Sequence, residues 1–415
     1  MPHAQGGFIP LHPKKMREAN TRELLRLVRH HAPCSRADLV RLSGLTAPTV
    51  SALIGALQHS GVVKFIGDGK PNGGRPPRLI EFNGEHAFVV GVDIGGSNVR
   101  IALGDLCGTV RGRWSCELGV RRSPKVVIDL IAAGVRELCQ RNGIPPKKIL
   151  KLAAGAPGMT DVKAGRVVSA PNLTGWHDVP LRDLLRAKTG IPATIDNDVN
   201  LAALGEHWCG IARNVSDFVF LAIGTGVGAG IMMRGQLHHG TNWSAGELGY
   251  MMLPGLPHYA LAVDRLGALE SAIGGRSIER AWRENAPLKD GSRNVRATEI
   301  LQMGEKDDRA ARELLESSAE HLAVAITNMN LVLDVSLVVL GGGVANEALR
   351  KATASYLSRN EFARPKLVLS SLGADAQLMG ALRLALLAAE ADGYQRRRGK
   401  ANAAGIGFGS GVSEE

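Results

Sequence analysis

The chain lacks most of what would place it outside a cell or in a membrane. Its five cysteines (Cys34, Cys107, Cys116, Cys139, Cys209) are scattered without a Cys-x-x-Cys pair, so neither a disulfide framework nor a cysteine-rich zinc site is readable. The uncharged stretch Phe218 to Met233 is 16 residues long and holds four glycines, short of the roughly 18 apolar residues that a spanning helix needs. Residues 1–20 carry Lys14, Lys15 and Arg17, but no apolar core or small-residue cleavage site follows, which excludes a readable signal peptide. A cytoplasmic protein without a membrane partner is expected. The 415 residues are 45% hydrophobic and 21% charged and include 51 glycines, the composition of a globular protein of two or three domains at roughly 150 residues each.

Acidic residues are scarce in one region. Residues 1–82 hold 12 Lys/Arg against 5 Asp/Glu, a net of +7, whereas the 308 residues from 83 to 390 carry only +3 of the total +11. A small basic head on a near-neutral body suits a polyanionic partner, since phosphate neutralisation supplies most non-specific nucleic-acid affinity. The pattern within the head sharpens this. Asn20 and Thr21 offer caps before Leu24, Leu25, Leu27 and Val28, the apolar face of a first helix. Pro33 ends it, Ser35 can cap a second helix with Leu39, Val40 and Leu42 inward, and Ser43-Gly44-Leu45 makes a short turn. Thr46 caps a third helix whose Val50, Leu53, Ile54 and Leu57 recur at helical spacing, while Pro48, Ala52 and Gly55, flanked by Thr49 and Ser51, leave the opposite face small. Such a face can approach the floor of a major groove. Two β-like runs follow, 62–66 and 78–82, and the loop between them carries Gly73-Gly74-Arg75-Pro76-Pro77, a tip that suits Arg75 to a narrow A·T-rich minor groove. The order predicts a winged helix-turn-helix that binds double-stranded DNA.

From Ala87 onward three strand-then-glycine elements recur. The first is Phe88 to Leu103, a hairpin in which Asp93 precedes Gly95, Gly96 and Ser97. The second is Phe218 to Ile231, with Gly224, Thr225, Gly226, Gly228 and Gly230. The third is Leu337 to Ala345, with Gly341, Gly342 and Gly343. Alternating glycines favour a hairpin whose bare backbone can close on an anion, and a carboxylate beside such a turn suits a nucleotide phosphate and its Mg²⁺.

The head together with DIGGSNVR, AAGAPG, APNLTGW, DNDVNLAALGE, GTGVGAGI, GELGY, GALE and LGGGVA resembles the ROK family (repressors, open reading frames and kinases), in its winged-helix regulator branch. The resemblance runs from about Arg17 to Ala389. It implies an α/β chain: a flexible arm over 1–16, a winged helix-turn-helix over 17–84, then a two-lobed actin-like, ribonuclease H-like sugar-kinase fold. The small lobe is expected over 85–195 plus 380–390, the large lobe over 196–379, and a disordered tail over 391–415. Carried over position by position, Asn172, Asn197, Asp198, Glu247 and Glu270 match the sugar-contacting residues, and Tyr250 stands where another side chain touches the sugar. Asp198 matches the catalytic base of the kinases, Asp93 would position Mg²⁺ only if ATP binds, and the glycine turns would hold phosphates. Carboxylates and amides in a cleft suit a sugar, whose hydroxyls both donate and accept. Asn197 and Asp198 also suit helix caps, and Glu206 reads as a helix-surface charge. The structural zinc of the family is not expected, because its His and three Cys are replaced by Tyr250, Leu261, Val263 and Ala268, none a good zinc donor.

Two functions follow. The first is a sugar-responsive repressor that binds its operator as a homodimer or homotetramer and senses a sugar or sugar derivative in the cleft. The second is an ATP-dependent sugar kinase carrying a DNA-binding head, for which Asp93, the glycine turns and Asp198 are all present. A regulator has no chemical need for the ATP half of the site, yet the sequence favours it, because the lost zinc loop would have supported the sugar-side residues Glu247 and Glu270.

Overall fold

The computed structural model describes residues 13–70, 76–119, 122–170, 173–257, 261, 265–285, 295–306 and 308–394. Its N-terminal part is α1 (Pro13–His31), β1 (Cys34–Ser35), α2 (Arg36–Ser43), α3 (Ala47–His59), β2 (Val63–Asp68) and β3 (Arg78–Phe82). Helix α1 begins at Pro13, not after Asn20, so residues 13–16 belong to a helix and not to an arm. The Thr21 hydroxyl donates back to the Arg17 carbonyl at 2.8 Å, as a helix-interior threonine does, instead of capping. Leu24, Leu25, Leu27 and Val28 are buried as the spacing predicts. Ser35 caps α2 in a reciprocal box with Asp38, and Gly44 closes that helix with φ 67°. Leu39 is buried but Leu42 is 42% exposed, a correction to the expected inward face of α2. Strands β2 and β3 form an antiparallel hairpin, and β1 joins β3 to make a three-stranded sheet. The tip of this hairpin, with Arg75, lies outside the described residues.

Two five-stranded sheets form the body. The first lobe contains β4 (Phe88–Ile94), β5 (Asn98–Asp105), β6 (Val110–Glu117), α4 (Pro124–Arg141), β7 (Ile149–Ala156), β8 (Met159–Asp161), β9 (Arg166–Ser169), β10 (His177–Val179), α5 (Leu181–Thr189) and β11 (Ala193–Asn197). The second contains α6 (Asp198–Cys209), β12 (Phe218–Ile223), β13 (Val227–Met233), β14 (Gln236–Leu237), α7 (Ala268–Ile273), α8 (Gly275–Asn285), α9 (Ala297–Met303), α10 (Arg309–Leu333), β15 (Leu337–Gly341), α11 (Glu347–Leu357) and β16 (Lys366–Leu369); α12 (Ala376–Ala391) returns to the first. The strand orders are β11-β7-β4-β5-β6 and β14-β13-β12-β15-β16. In each sheet an antiparallel hairpin (β4–β5, β12–β13) is extended by parallel strands (β7 and β11, β15 and β16), so one plan is used twice. The central strands read as continuous apolar runs because helices cover both faces. Among the described residues no helix is long and apolar enough to cross a membrane.

The lobes meet where α6 crosses α12. A Cβ on Gly380 would lie 1.7 Å from the Leu201 carbonyl oxygen, and one on Gly205 would lie 2.3 Å from that of Ala376, so only glycine lets these backbones touch. Beside the crossing, Glu206 is fully buried and is not a surface charge. Its carboxylate accepts from the Ser370 hydroxyl, the Ser371 hydroxyl at 3.1 Å, the Leu372 N–H at 3.1 Å and the Ile211 N–H at 2.8 Å, tying α6 to the turn that leads into α12.

The other end of α12 completes the head. Leu382, Ala385, Leu386 and Ala389 share one buried cluster with Leu24, Val28, Leu57, Ile80 and Phe82. Tyr394, placed by the sequence in a disordered tail, is 1% exposed, and its ring lies 5.1 Å from that of Phe82. Its hydroxyl accepts from Arg29, which stacks on Phe82 at 5.2 Å and pairs with Glu390 at 3.6 Å. Burial pushes the Tyr394 hydroxyl up to about 12. The remaining tail, 395–415, lies outside the described residues.

Glu206→Ala strips two hydroxyls and two backbone N–H groups of a buried acceptor. It is expected to cost about 3 kcal/mol, read as a lowered urea midpoint. A midpoint equal to the wild type's would mean that water serves these donors as well.

Candidate functional site

Two places have the chemistry of a site. The first is the outer face of α3, where Thr46, Pro48, Ser51 and Ala52 are exposed, Thr49 is half-buried, and Gly55 has open space where a side chain would stand. Thr46 occupies the N-cap position, but its hydroxyl pairs with that of Thr49 at 2.8 Å instead of capping the helix, a correction to its expected role. Arg36 of α2 reaches Ser51 and Gln58 at 3.5 Å and puts a guanidinium on the flank of α3; the sequence reading did not single it out.

The second is the cleft where the ends of β4, α6 and the second sheet converge. Asp93 sits near the end of β4, and the turn beyond it closes by a Gly95 N–H to Asn98 carbonyl bond of 2.9 Å, leaving Gly96 and Ser97 exposed. Asp198 is the first residue of α6. It is partly open to the cleft yet densely surrounded, and desolvation, reinforced by nearby Asp93 and Glu247, pushes its carboxyl up to about 7. Burial and then the Glu270 charge raise Glu247. Burial raises Glu270 as well, while the Val227 N–H and Arg276 pull it back. Asp93, Asp198, Glu247 and Glu270 thus form one electrostatically coupled row, an arrangement receptive to hydroxyl donors.

Two of the three glycine turns meet near Glu270. Gly224 and Gly343 face each other, with a Cβ on Gly224 only 3.8 Å from the Gly343 nitrogen. The Val344 N–H donates to the Ile223 carbonyl at 2.9 Å, and a Cβ on Gly342 would lie 2.4 Å from that same oxygen, which fixes Gly341 to Gly343 against Gly224 to Gly226. Glu270 joins the two halves. Its Oε2 accepts the Val227 N–H at 3.1 Å, so a residue expected to touch sugar also braces the glycine hairpin that runs through Gly228.

Asn197 does what a cap does. Its Oδ1 accepts the Val199 and Asn200 N–H groups at 2.8 and 3.1 Å, and its Nδ2 donates to the Gly158 carbonyl at 2.8 Å, so it fixes the start of α6 to the loop after β7. Asn172 lies outside the described residues. Tyr250 ends the short turn after Glu247 and is half-buried. A Cβ on Gly267 would lie 2.1 Å from the Gly249 carbonyl oxygen, so backbone packs on backbone between the residue before α7 and the turn that ends at Tyr250. Leu261 is 67% exposed, Ala268 starts α7, and Val263 lies outside the described residues.

Sequence reasoning missed His239. Its Nε2 meets Asp196 Oδ2 at 2.8 Å, and Asp196, 1% exposed, also accepts from Asn200 Nδ2 at 3.0 Å and the Asn197 N–H at 2.8 Å. That carboxylate raises the His239 imidazole, and Trp243 packs edge-on at 5.4 Å. The pair pins the loop before Glu247 to the strand before Asp198. Two acids spaced one residue apart, Asp196 and Asp198, were the available signal, and only the second was used.

A profile described as ROK family matches residues 89–388. The xylose repressor of Caldicellulosiruptor bescii is 26% identical over 385 residues, 89% of this chain and 96% of its own length. The xylose repressor of Bacillus subtilis is 25% identical over 375 residues, covering 88% and 94%. The glucokinase of Thermotoga maritima is 27% identical over 309 residues, covering 71% of this chain and 95% of its own. Among solved structures, a ROK family transcriptional regulator described as a homolog of the E. coli MLC protein superposes with a TM-score of 0.74 at 20% identity, covering 91% of this chain and 97% of its own. The Streptomyces griseus ROK glucokinase bound to glucose and AMPPNP gives 0.61 at 26% identity, covering 72% and 99%.

The raised Asp198 carboxyl has a pH signature. Between about pH 4 and pH 7 the folded chain keeps a proton that the unfolded chain, with an ordinary value near 3.8, has released, so this group lowers stability as pH rises through that window. Asp198→Asn is expected to flatten the slope and to raise stability above pH 7 by on the order of 2–4 kcal/mol, read from urea midpoints at several pH values. An unchanged slope would mean an ordinary carboxyl.

Proposed function

The chain belongs to the ROK family, and from that premise we propose that it is a sugar-responsive, DNA-binding transcriptional repressor acting in the cytoplasm. One observation carries this reading. Three helices and a hairpin with a small, exposed face on the third are built into the same buried cluster as the last helix of a sugar-kinase-like body. The similarity to xylose repressors over nearly their full length supports it, since it extends past the body into the head.

The head docks α3 in a major groove. Small side chains on its outer face let the backbone approach the base edges, while Arg36 and the other arginines of the head meet phosphates. A helix-turn-helix of this kind reads a two-fold operator as a symmetric pair, so a homodimer or a dimer of dimers is the working form.

The body binds a sugar across the carboxylate row. Each hydroxyl that donates to Asp198, Glu247 or Glu270 relieves repulsion present in the empty cleft, so the ligand favours the form in which both lobes reach it. Closing the lobes turns them about the Gly205–Gly380 crossing. Because α12 runs from that crossing to Glu390 and Tyr394, the same motion displaces the helix end on which Arg29, Phe82 and the head are seated. Coupling then needs only a different sugar affinity in the two arrangements.

Fluorescence anisotropy of labelled DNA from the chain's own upstream region, titrated with the purified protein and a panel of pentoses, hexoses and N-acetylated amino sugars, tests this. At least one sugar is expected to weaken operator binding by about tenfold or more, with Asp198→Asn losing that response while keeping its sugar-free operator affinity. Ser51→Glu is expected to abolish operator binding while leaving sugar-induced thermal stabilisation intact. Operator affinity indifferent to every sugar would reject the sensor.

A further inference from the structure

Asp93 is the residue that a ROK kinase would use to position Mg²⁺, and here another side chain already holds it. Asp93 and Arg100 are directly opposed in the β4–β5 hairpin. Arg100 Nε lies 2.9 Å and Nη2 2.6 Å from Asp93 Oδ2, with the carboxylate side chain 5% exposed and the guanidinium 21% exposed. The remaining nitrogen, Nη1, is 3.8 Å from Oδ1 of Asp375, the residue just before α12, whose other oxygen takes Arg113 at 2.8 Å. Burial raises the Asp93 carboxyl and the guanidinium pulls it back, as for a pair formed in a poorly solvated place.

This donor set does not fit a divalent cation. Both guanidinium contacts fall on Oδ2, so Asp93 already has its charge matched by a fixed cation, and a divalent ion on the other carboxylate oxygen would stand within a few ångströms of that positive charge and be repelled by it. Arg100 also reaches toward Asp375 at the start of α12, and moving it aside would leave the buried Asp93 without its ion-pair partner.

Building on the regulator reading, we propose that Arg100 is a built-in counter-ion occupying the metal's place on Asp93, so that the cleft takes an uncharged sugar alone and excludes a magnesium–nucleotide. The remaining carboxylates point the same way. Asp198, Glu247 and Glu270 stay beside the paired Asp93, a setting that welcomes neutral hydroxyls and opposes an anionic ligand. The sequence carried the signal: in D-I-G-G-S-N-V-R a turn over 95–98 sets the first and last residues face to face.

Isothermal titration of Mg·AMP-PNP, and of AMP-PNP with EDTA, into the full chain and into Arg100→Ala tests this. The wild type is expected to bind the nucleotide no better with Mg²⁺ than without, whereas Arg100→Ala gains at least about tenfold in affinity from Mg²⁺. Arg100→Gln, which keeps a donor for Asp93, stands in should the alanine variant fail to fold. Magnesium-dependent binding by the wild type, or no gain in a folded Arg100 variant, would overturn the proposal. Operator release by sugar, measured on the same preparations, separates this failure from that of the regulator reading: losing the sugar response rejects the sensor whatever Mg²⁺ does.

Discussion

The approach of α6 to α12 is the constraint on which the rest of the molecule depends. Two glycines, Gly205 and Gly380, let the helices pack backbone against backbone, and any side chain at either point would enter a main-chain carbonyl. Helix α6 lies on the second sheet and carries Asp198 at its first residue; α12 lies on the first sheet and ends in the head. The crossing therefore sets three relations at once: how the sheets face each other, where the cleft's central carboxylate stands, and how the DNA-facing unit is carried. Glu206, fully buried, secures it with four accepted hydrogen bonds, which tie the end of α6 to the turn before α12.

The electrostatics of the cleft divide into two regimes. Toward the β4–β5 turn, acid is matched by base, Asp93 with Arg100 and Asp375 with Arg113. Toward the second sheet, Asp198, Glu247 and Glu270 stand close without cations of equal number, and each is raised. A kinase with a metal between the two regions would join them through phosphate. Here the Asp93 end already carries an internal ion pair, while the acids from Asp198 onward remain open to hydroxyl groups, in keeping with a sugar-responsive regulator.

Much of this was legible in the sequence wherever the signal was periodic or glycine-based. The apolar faces of α1 and α3, the hairpins around Gly95 and Gly224, and the turn at Gly341 follow from spacing and from backbone freedom. The start of α1 was misplaced because a threonine inside a helix and one at its cap look alike until the partner of its hydroxyl is known. Glu206 read as a surface charge because nothing local announces that Ser370 and Ser371, more than 160 positions on, supply its donors. The same holds for Tyr394, whose neighbours in sequence are polar and whose neighbours in space are Arg29 and Phe82. Asp93 was legible as the carboxylate before a glycine turn, but Asp198, Glu247 and Glu270 were identified by resemblance and not by pattern, since three acids scattered from 198 to 270 carry no spacing of their own.

Tyr394 also bears on how the molecule is made. The head leaves the ribosome before the body, yet its buried cluster is completed by residues of α12 and by Tyr394, 365 positions beyond Arg29. A chain that stops early, or whose body has not closed, presents helices α1 to α3 without the surface that seats them. Contacts between distant positions form late, after the loops between them have been ordered. The core of the head is therefore complete only when α12 and Tyr394 are in place, and a chain without them would leave Leu24, Val28 and Phe82 short of the apolar surface that covers them.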